Sequence, residues 1–196
     1  LQAAGLYDTA TTIVDRAARQ LEDELLDVIR PTRGRWLGLL QGHHYFVHDD
    51  GTTSDTYMAS ALDAPFLGDC VIIRMTFREP SGGGSTNIKL WAHHGHGGSG
   101  ILPTAGLNKL YHQKVRYPSV RVFLMGHVPQ LGFVTTDGLD VTDRGEPILI
   151  HEDTHYVMTG GFARAYQQGS QFAGRPQGGY AEKAMMPPAT LGAPVI

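Results

Sequence analysis

Apolar residues recur at helical spacing in three stretches of the chain. Between residues 8 and 29 they return every three or four positions among charged residues, and Pro31 follows directly. This pattern predicts an amphipathic helix. Shorter helices are predicted at 53–64 and 103–115, the second with Pro103 in its first turn. The recurring apolar residues of the first helix are Val14, Ala17, Leu21, Leu25 and Val28.

Strand patterns occupy most of the remaining chain. The short apolar run 35–41 predicts a buried strand, and the apolar run 120–125 predicts another. Residues 71–78 alternate between apolar and polar side chains, and strand-like sequence resumes at 86–92 after a glycine-rich turn. These two segments predict a hairpin with one solvated face. Later strands and turns lead into a Gly- and Pro-rich tail from Gln168. No repeat or linker interrupts the pattern, so we expect one domain over residues 1–196.

Composition narrows the functional classes. The 196 residues carry a formal net charge of −3, and 18% of them are charged. No basic run marks the surface as a binder of nucleic acid or membrane, and no apolar run approaches the length of a transmembrane helix. The single cysteine, Cys70, excludes an internal disulfide and a cysteine-based zinc cage, and suits the cytoplasm. The chain begins at Leu1 rather than Met, and we expect both ends to be cut from a longer protein.

Histidines follow three of the predicted strands. Each of these strands ends in a turn that contains both glycine and histidine. In open α/β sheets, ligands bind beyond the carboxyl ends of the strands, so the three turns are expected to converge on one site. Because neutral imidazole is a common metal ligand, the convergence favours a metal site, with solvated or capping histidines as the alternative. The histidines are His43 and His44 after the first strand, His93, His94 and His96 after the second, and His127 after the third.

A second motif, HEDTH at 151–155, matches the H-E-x-x-H signature of zinc metalloproteases. That signature requires a helix, which places both histidines on one face. The flanking residues PILI and YVMTGG are rich in β-branched and aromatic side chains and too short for a helix. In an extended strand, residues four apart are separated by about 13 Å. We therefore expect the central EDT to form a hairpin turn and rank the protease last among the alternatives.

The order of the histidine turns resembles the second half of the calcineurin-like metallophosphoesterases. QGHHY at 41–45 stands where that family has Gly-Asn-His-Glu, HHGHGG at 93–98 where it has a lone histidine, and LMGHVP at 124–129 where it has Gly-His-x-His. GLNKL at 106–110 and TGGF at 159–162 are similar to a bacterial and phage branch of the family. The resemblance implies an α/β fold with mixed β-sheets flanked by helices, truncated before its first two motifs.

The resemblance also implies a dinuclear metal centre. His43, His94 and His127 would be ligands to two divalent ions, drawn from Mn, Zn, Fe or Mg, with His93 as the alternative to His94. Two ions about 3.5–4 Å apart would require the three imidazoles to lie within roughly 8 Å of one another.

The same family implies the reaction. His44 would be the catalytic histidine, contacting phosphate oxygens and protonating the leaving group, and His96 would contact the substrate. The expected substrate is a phosphomonoester or a phosphodiester, with nucleic acid among the candidate partners and no membrane involved. Lys109 or Lys114 on the following helix would neutralise phosphate charge.

Two positions depart from the family pattern. Pro129 stands where the second histidine of Gly-His-x-His is expected, and a proline side chain cannot coordinate a metal. Tyr45 replaces the acidic partner of the catalytic histidine. The family's Asp-x-His and Gly-Asp motifs would lie before Leu1. The second hypothesis is therefore a degenerate, inactive metallophosphoesterase-like binding module.

Overall fold

A computed structural model describes residues 2–97, 104–142, 145–162, 166–186, 188 and 190–195 of the chain. These residues combine helices with a mixed β-sheet, as the α/β prediction requires. They form two units, Leu1–Cys70 and Val71–Ile196. The expectation of a single domain stays a prediction. No helix in the described part of the chain has the length and apolar character needed to cross a bilayer.

The first unit contains both helices predicted for this part of the chain. Helix α1 spans Gln2–Ile29 and continues into a short 3-10 helix at Arg30–Thr32. Helix α2 spans Ser54–Ala61. Thr53 caps α2 through a capping box, in which its hydroxyl accepts a hydrogen bond from the backbone N–H of Thr56 while the Thr56 side chain accepts one from the N–H of Thr53. The cap at Thr53 fixes the start of α2.

Helix α1 turns its apolar stripe to solvent. Leu26 is only 1% exposed and Glu22 8%, so the buried side of the helix includes a carboxylate. The same side forms hydrogen bonds. Asp15 and Glu22 are seven residues apart on one face of the helix, and both bind the buried ring of His48. Hydrogen bonds to a residue distant in sequence therefore outweigh the apolar pattern in orienting the helix. The exposed stripe residues and their exposures are Val14 53%, Leu21 67%, Leu25 48% and Val28 75%.

The two leucines of α1 give a direct test of this orientation. We expect Leu26→Ala to lower the free energy of unfolding by about 2–5 kcal/mol because it empties a buried position. Leu21→Ala removes an exposed side chain and should change it by less than about 0.5 kcal/mol. Urea unfolding of both variants measures the difference. Equal losses would show that Leu21 is also buried in solution.

The first unit also depends on an ionised carboxylate. Burial of Asp15 opposes its ionisation, but hydrogen bonds from His48 and the Asp49 N–H, together with the charge of Arg19, lower the pKa of Asp15 below its ordinary 3.8. A lowered native pKa contributes stability that is complete above the unfolded value and disappears as the pH falls through the native one. We expect the free energy of unfolding to fall as the pH drops below about 4, and Asp15→Asn to weaken that dependence. Urea titrations across this range measure it, and a variant with unchanged pH dependence would contradict it.

The predicted strand at 35–41 is wrong. Only Leu39 forms a bridge, pairing in parallel with Phe66, and its N–H donates to the Pro65 carbonyl at 2.9 Å. Trp36 and Leu37 are 39% and 59% exposed. The apolar run is extended but pairs with an irregular segment, because apolar character alone does not specify a sheet partner. The His43–His44 turn therefore follows no strand.

The second unit is built on a five-stranded sheet with the order β1-β2-β3-β5-β4. Strands β2, β3 and β5 are mutually parallel, and β4 runs antiparallel to β5. The predicted pair of β1 and β2 is confirmed as neighbours joined by a short turn. The bounds are Cys70–Arg78 for β1, Ser85–His93 for β2, Val122–Met125 for β3, Leu131–Val141 for β4 and Leu149–Thr159 for β5.

Helix α3, Thr104–Arg116, packs its buried Leu110 into the aromatic core of the sheet. The helix lies very close to the strands at Gly106, where an added Cβ would lie 2.4 Å from the sulfur of Met158. The core aromatic residues are Trp91, Phe123 and Tyr156, one from each parallel strand. This core holds β2 and β3 in register up to their carboxyl ends. The predicted position of Pro103 in the first turn lies outside the described residues.

The HEDTH motif lies inside β5, so the predicted hairpin turn at EDT is wrong and the helix required by a zinc protease is absent at these positions. The strand continues because β4 pairs with it over its full length, and Asp137 is the cross-strand neighbour of Asp153. The antiparallel pairing of β4 with β5 extends to Val141 and Leu149. The tail adds two short strands and a helical turn: β6 at Gln171–Phe172, β7 at Arg175–Pro176 and α4 at Tyr180–Lys183.

Candidate metal centre

Two loops leave the sheet side by side at the carboxyl ends of β2 and β3. His93 ends β2 and is the register partner of Met125, which ends β3. The Gly126 N–H donates to the His93 carbonyl at 3.2 Å, so the pairing extends one residue into the loops. His94 and His127 therefore begin from adjacent strand ends, as the carboxyl-end argument requires for these two turns.

The rings of His94 and His127 meet at this point. Nε2 of His94 lies 3.3 Å from Nδ1 of His127, and the ring centroids are 5.2 Å apart with planes at 80°. Both residues are half-buried. Two ring nitrogens are thus directed toward one another at the end of the sheet.

His127 adopts a backbone conformation that is rare outside glycine. Its φ is 65°, and the Val128 N–H donates to the Gly126 carbonyl at 2.7 Å, which encloses His127 in a tight turn. An i to i+2 bond around a residue of positive φ is the strained form of the γ-turn. Such strain persists where the surroundings enforce it, and it concentrates at functional sites. The turn aims the ring of His127 at His94.

Gly95 lets the two loops touch through their backbones. Its φ is 108°, and an added Cβ would lie 2.7 Å from the Gly126 carbonyl oxygen and 2.8 Å from the Cβ of His127. A side chain at this position would collide with main-chain atoms, which cannot move aside independently. Gly95 therefore permits the close backbone approach of the two loops.

His93 supports the loop. Its ring stacks on Trp91 with centroids 5.6 Å apart, and its Nδ1 accepts a hydrogen bond from the Gly95 N–H at 2.7 Å. This bond fixes the Nδ1 of His93 as an acceptor within the loop. Because Nδ1 of His93 already accepts this bond, His94 is favoured over His93 as the metal ligand from this turn.

The two lysines predicted to neutralise phosphate have different surroundings. Lys114 donates to the carbonyls of Pro118 and Val120 at 2.7 and 2.9 Å, and burial, with a smaller effect of Arg121, lowers its pKa. It caps the end of α3. Lys109 donates to the main-chain carbonyl of His96 at 2.8 Å and so ties α3 to the histidine loop. The His96 side chain is exposed, and its predicted contact with substrate stays a prediction.

His43 and His44 belong to the first unit. Their rings lie 3.8 Å apart by centroid and are exposed. The preceding Gly42 N–H donates to Asp55 in the first turn of α2 at 2.7 Å. The structure thus places the predicted ligands as one pair, His94 and His127, in the second unit, with His43 in the first. The roles of His43 and His44 stay predictions.

The His94–His127 pair fits a divalent metal. Zinc–nitrogen bonds of about 2.0–2.1 Å at a tetrahedral angle place two ligand nitrogens about 3.3–3.4 Å apart. The separation of 3.3 Å in the structure matches that edge. Among the described residues of the second unit, no carboxylate lies within 4.8 Å of both nitrogens, so this unit offers imidazole ligands alone. An all-imidazole donor pair suits Zn, Cu, Fe or Ni better than Mg.

Comparison of the chain with protein-family models, with curated proteins and with solved structures gave no match.

One structural feature in each unit lies beyond the sequence prediction. The strained turn at His127 carries no local signal, because positive φ is uncommon for histidine. The anchor between Asp55 and Gly42 joins residues thirteen positions apart. The capping box of Thr53 and Thr56 is local to the start of α2, and it does not indicate that Asp55 in the same turn accepts a hydrogen bond from Gly42.

Proposed function

We propose that the protein binds a divalent metal ion through His94 and His127 and uses it to hydrolyse phosphate esters. The observation that carries the metal site is the 3.3 Å separation between Nε2 of His94 and Nδ1 of His127 at two parallel strand ends. The strained turn at His127 and the backbone contact at Gly95 support it, because both hold the ring pair in place.

The reaction class rests on the order of the motifs. The described residues combine a mixed β-sheet with helices, which is the α/β class that the resemblance implies, and His94 and His127 follow two neighbouring strands of that sheet. We assign His43 as a further imidazole ligand on the same grounds. A metal in this position would polarise a phosphoryl oxygen and activate water.

The chain's own residues would supply the remaining chemistry. His44 would protonate the leaving group as a general acid, since imidazole exchanges protons near neutral pH. Gly95 and Gly126 keep the loop backbones in contact, so the ligands are pre-organised before substrate binds. His96 would contact the phosphate from the exposed side of its loop.

A binding module without catalysis is the second candidate. Pro129 removes one family ligand, and the described residues of the second unit bring no carboxylate to the histidine pair. A bridging carboxylate is what normally holds a second ion in such centres.

Hydrolysis of bis(p-nitrophenyl) phosphate and p-nitrophenyl phosphate with added Mn²⁺ or Zn²⁺ separates the two candidates. The enzyme hypothesis predicts metal-dependent turnover that falls by about 100-fold or more in His44→Ala, while metal affinity is retained. The exposed His112→Ala on α3 is the matched control and should keep full activity. Tight metal binding without turnover of either ester would support the module.

A further inference from the structure

Among the described side chains of the first unit, the ring of His48 is the most completely buried titratable group. Its side chain is 0% exposed, with Nδ1 2.9 Å from Asp15 and Nε2 3.0 Å from Glu22. Both partners lie on one face of α1. The ring is thus clamped between two carboxylates of a single helix.

Each ring nitrogen of His48 lies within hydrogen-bond distance of a carboxylate oxygen, so the ring is held at both of its nitrogens. Arg19 lies 3.6 Å from the second oxygen of Asp15 and 2.7 Å from Asp50, and so adds a further link between α1 and the residues that follow His48. Charge-assisted bonds of this kind are short and directional, so they fix position as well as add stability.

The clamp holds one end of the segment that carries His43 and His44. The other end is held at Gly42 by Asp55. Between them, Phe46 exchanges two hydrogen bonds with Ser54, donating to its hydroxyl at 3.1 Å and accepting from its N–H at 2.9 Å. The two exposed histidines therefore sit on a short span whose ends are fixed to α1 and α2.

We propose that His48 is a positioning residue that holds the His43–His44 segment in its metal-binding conformation. The inference rests on the proposed function, in which His43 is a ligand. His48 itself does not contact the metal. It acts by fastening the segment to α1 through Asp15 and Glu22.

The test is a double-mutant cycle on Zn²⁺ affinity, measured by calorimetry on the full chain. His48→Gln should weaken binding by about 10-fold or more, in the range found for groups that orient metal ligands. In a His43→Ala background the same change should have no further effect, because the positioned ligand is already gone. Leu26→Ala is the control: it destabilises the same unit at a buried position but leaves the segment's hydrogen bonds intact, so the affinity should not change.

Each outcome decides the inference. Unchanged affinity in His48→Gln, or an equal loss in the His43→Ala background, overturns it. If His43→Ala has no effect while His127→Ala destroys binding, the metal centre stands and the inference falls. If His127→Ala also has no effect, the proposed function fails as well. Should His48→Gln not fold, Glu22→Gln keeps the acceptor oxygen, removes the charge, and should shift the affinity in the same direction.

Discussion

Zinc affinity should fall by more than about 100-fold when His127 is replaced by alanine, beyond the loss usual for a supporting group. The reason is that His127 supplies one of the two nitrogens set 3.3 Å apart, and its ring is the only one aimed by the strained turn. Calorimetric titration with Zn²⁺ measures the change. His94→Ala should produce a loss of the same order, because the pair acts as one chelate.

His112→Ala is the control for this prediction. His112 is an exposed histidine of α3 in the same unit, so its removal tests whether surface imidazoles alone account for binding. Comparable losses in His112→Ala and His127→Ala would contradict the site. Retained affinity in His127→Ala would mean that the ring pair is a hydrogen bond within the loops rather than a ligand pair.

Gly95→Ala should disrupt both the fold of the loops and metal binding. The added methyl would meet the Gly126 carbonyl oxygen at 2.7 Å, and the residue would be held at a φ of 108°. We expect a loss of about 1–2 kcal/mol from the unfavourable φ and about 1–3 kcal/mol from overpacking. Because relief of the contact must move the loops apart, the histidine nitrogens should separate and zinc affinity should fall.

Two other glycines of the second unit separate these contributions. Gly145 also has a positive φ, of 80°, but an added Cβ would have nothing within 4 Å, so Gly145→Ala reports the backbone strain alone. Gly84 has neither a positive φ nor a close neighbour, so Gly84→Ala should be almost neutral. Urea unfolding and zinc titration of the three variants measure the effects. A Gly95→Ala protein no less stable than Gly145→Ala would show that the loops are not in contact.

The helices and most strands were predictable because their signals are local. The helical pattern at 53–64 and the alternation at 71–78 depend on neighbours in sequence, and both elements occur where expected. The structure of residues 35–41 was not predictable in this way, because a run of apolar residues is compatible with an unpaired extended segment as well as with a strand. The turn predicted within HEDTH was wrong because the polar residues there have a sheet partner: β4 pairs with the motif along its whole length, so the strand continues through it.

The orientation of α1 shows a related limit. Its apolar spacing correctly indicates an amphipathic helix, but its buried side is set by the bonds of Asp15 and Glu22 to His48, which lies far along the chain. Sequence periodicity does not report a distant polar partner. A buried imidazole can therefore orient a helix against its hydrophobic pattern.

The candidate site was predictable in composition and not in geometry. Placing His94 and His127 after parallel strands required only the strand pattern and the carboxyl-end rule. The 3.3 Å contact requires the turn at His127 and the register of His93 with Met125, which depend on packing of the aromatic core. The position of strand ends in the sequence is enough to predict that His94 and His127 lie close together. The role of His93 in holding the loop is seen only in the structure.

The most direct test of the metal centre is anomalous scattering at the zinc edge from crystals of the protein grown with Zn²⁺. We predict a peak about 2.0–2.1 Å from both Nε2 of His94 and Nδ1 of His127. A well-ordered His94–His127 pair with no peak between its nitrogens, or a peak confined to other residues, would contradict it.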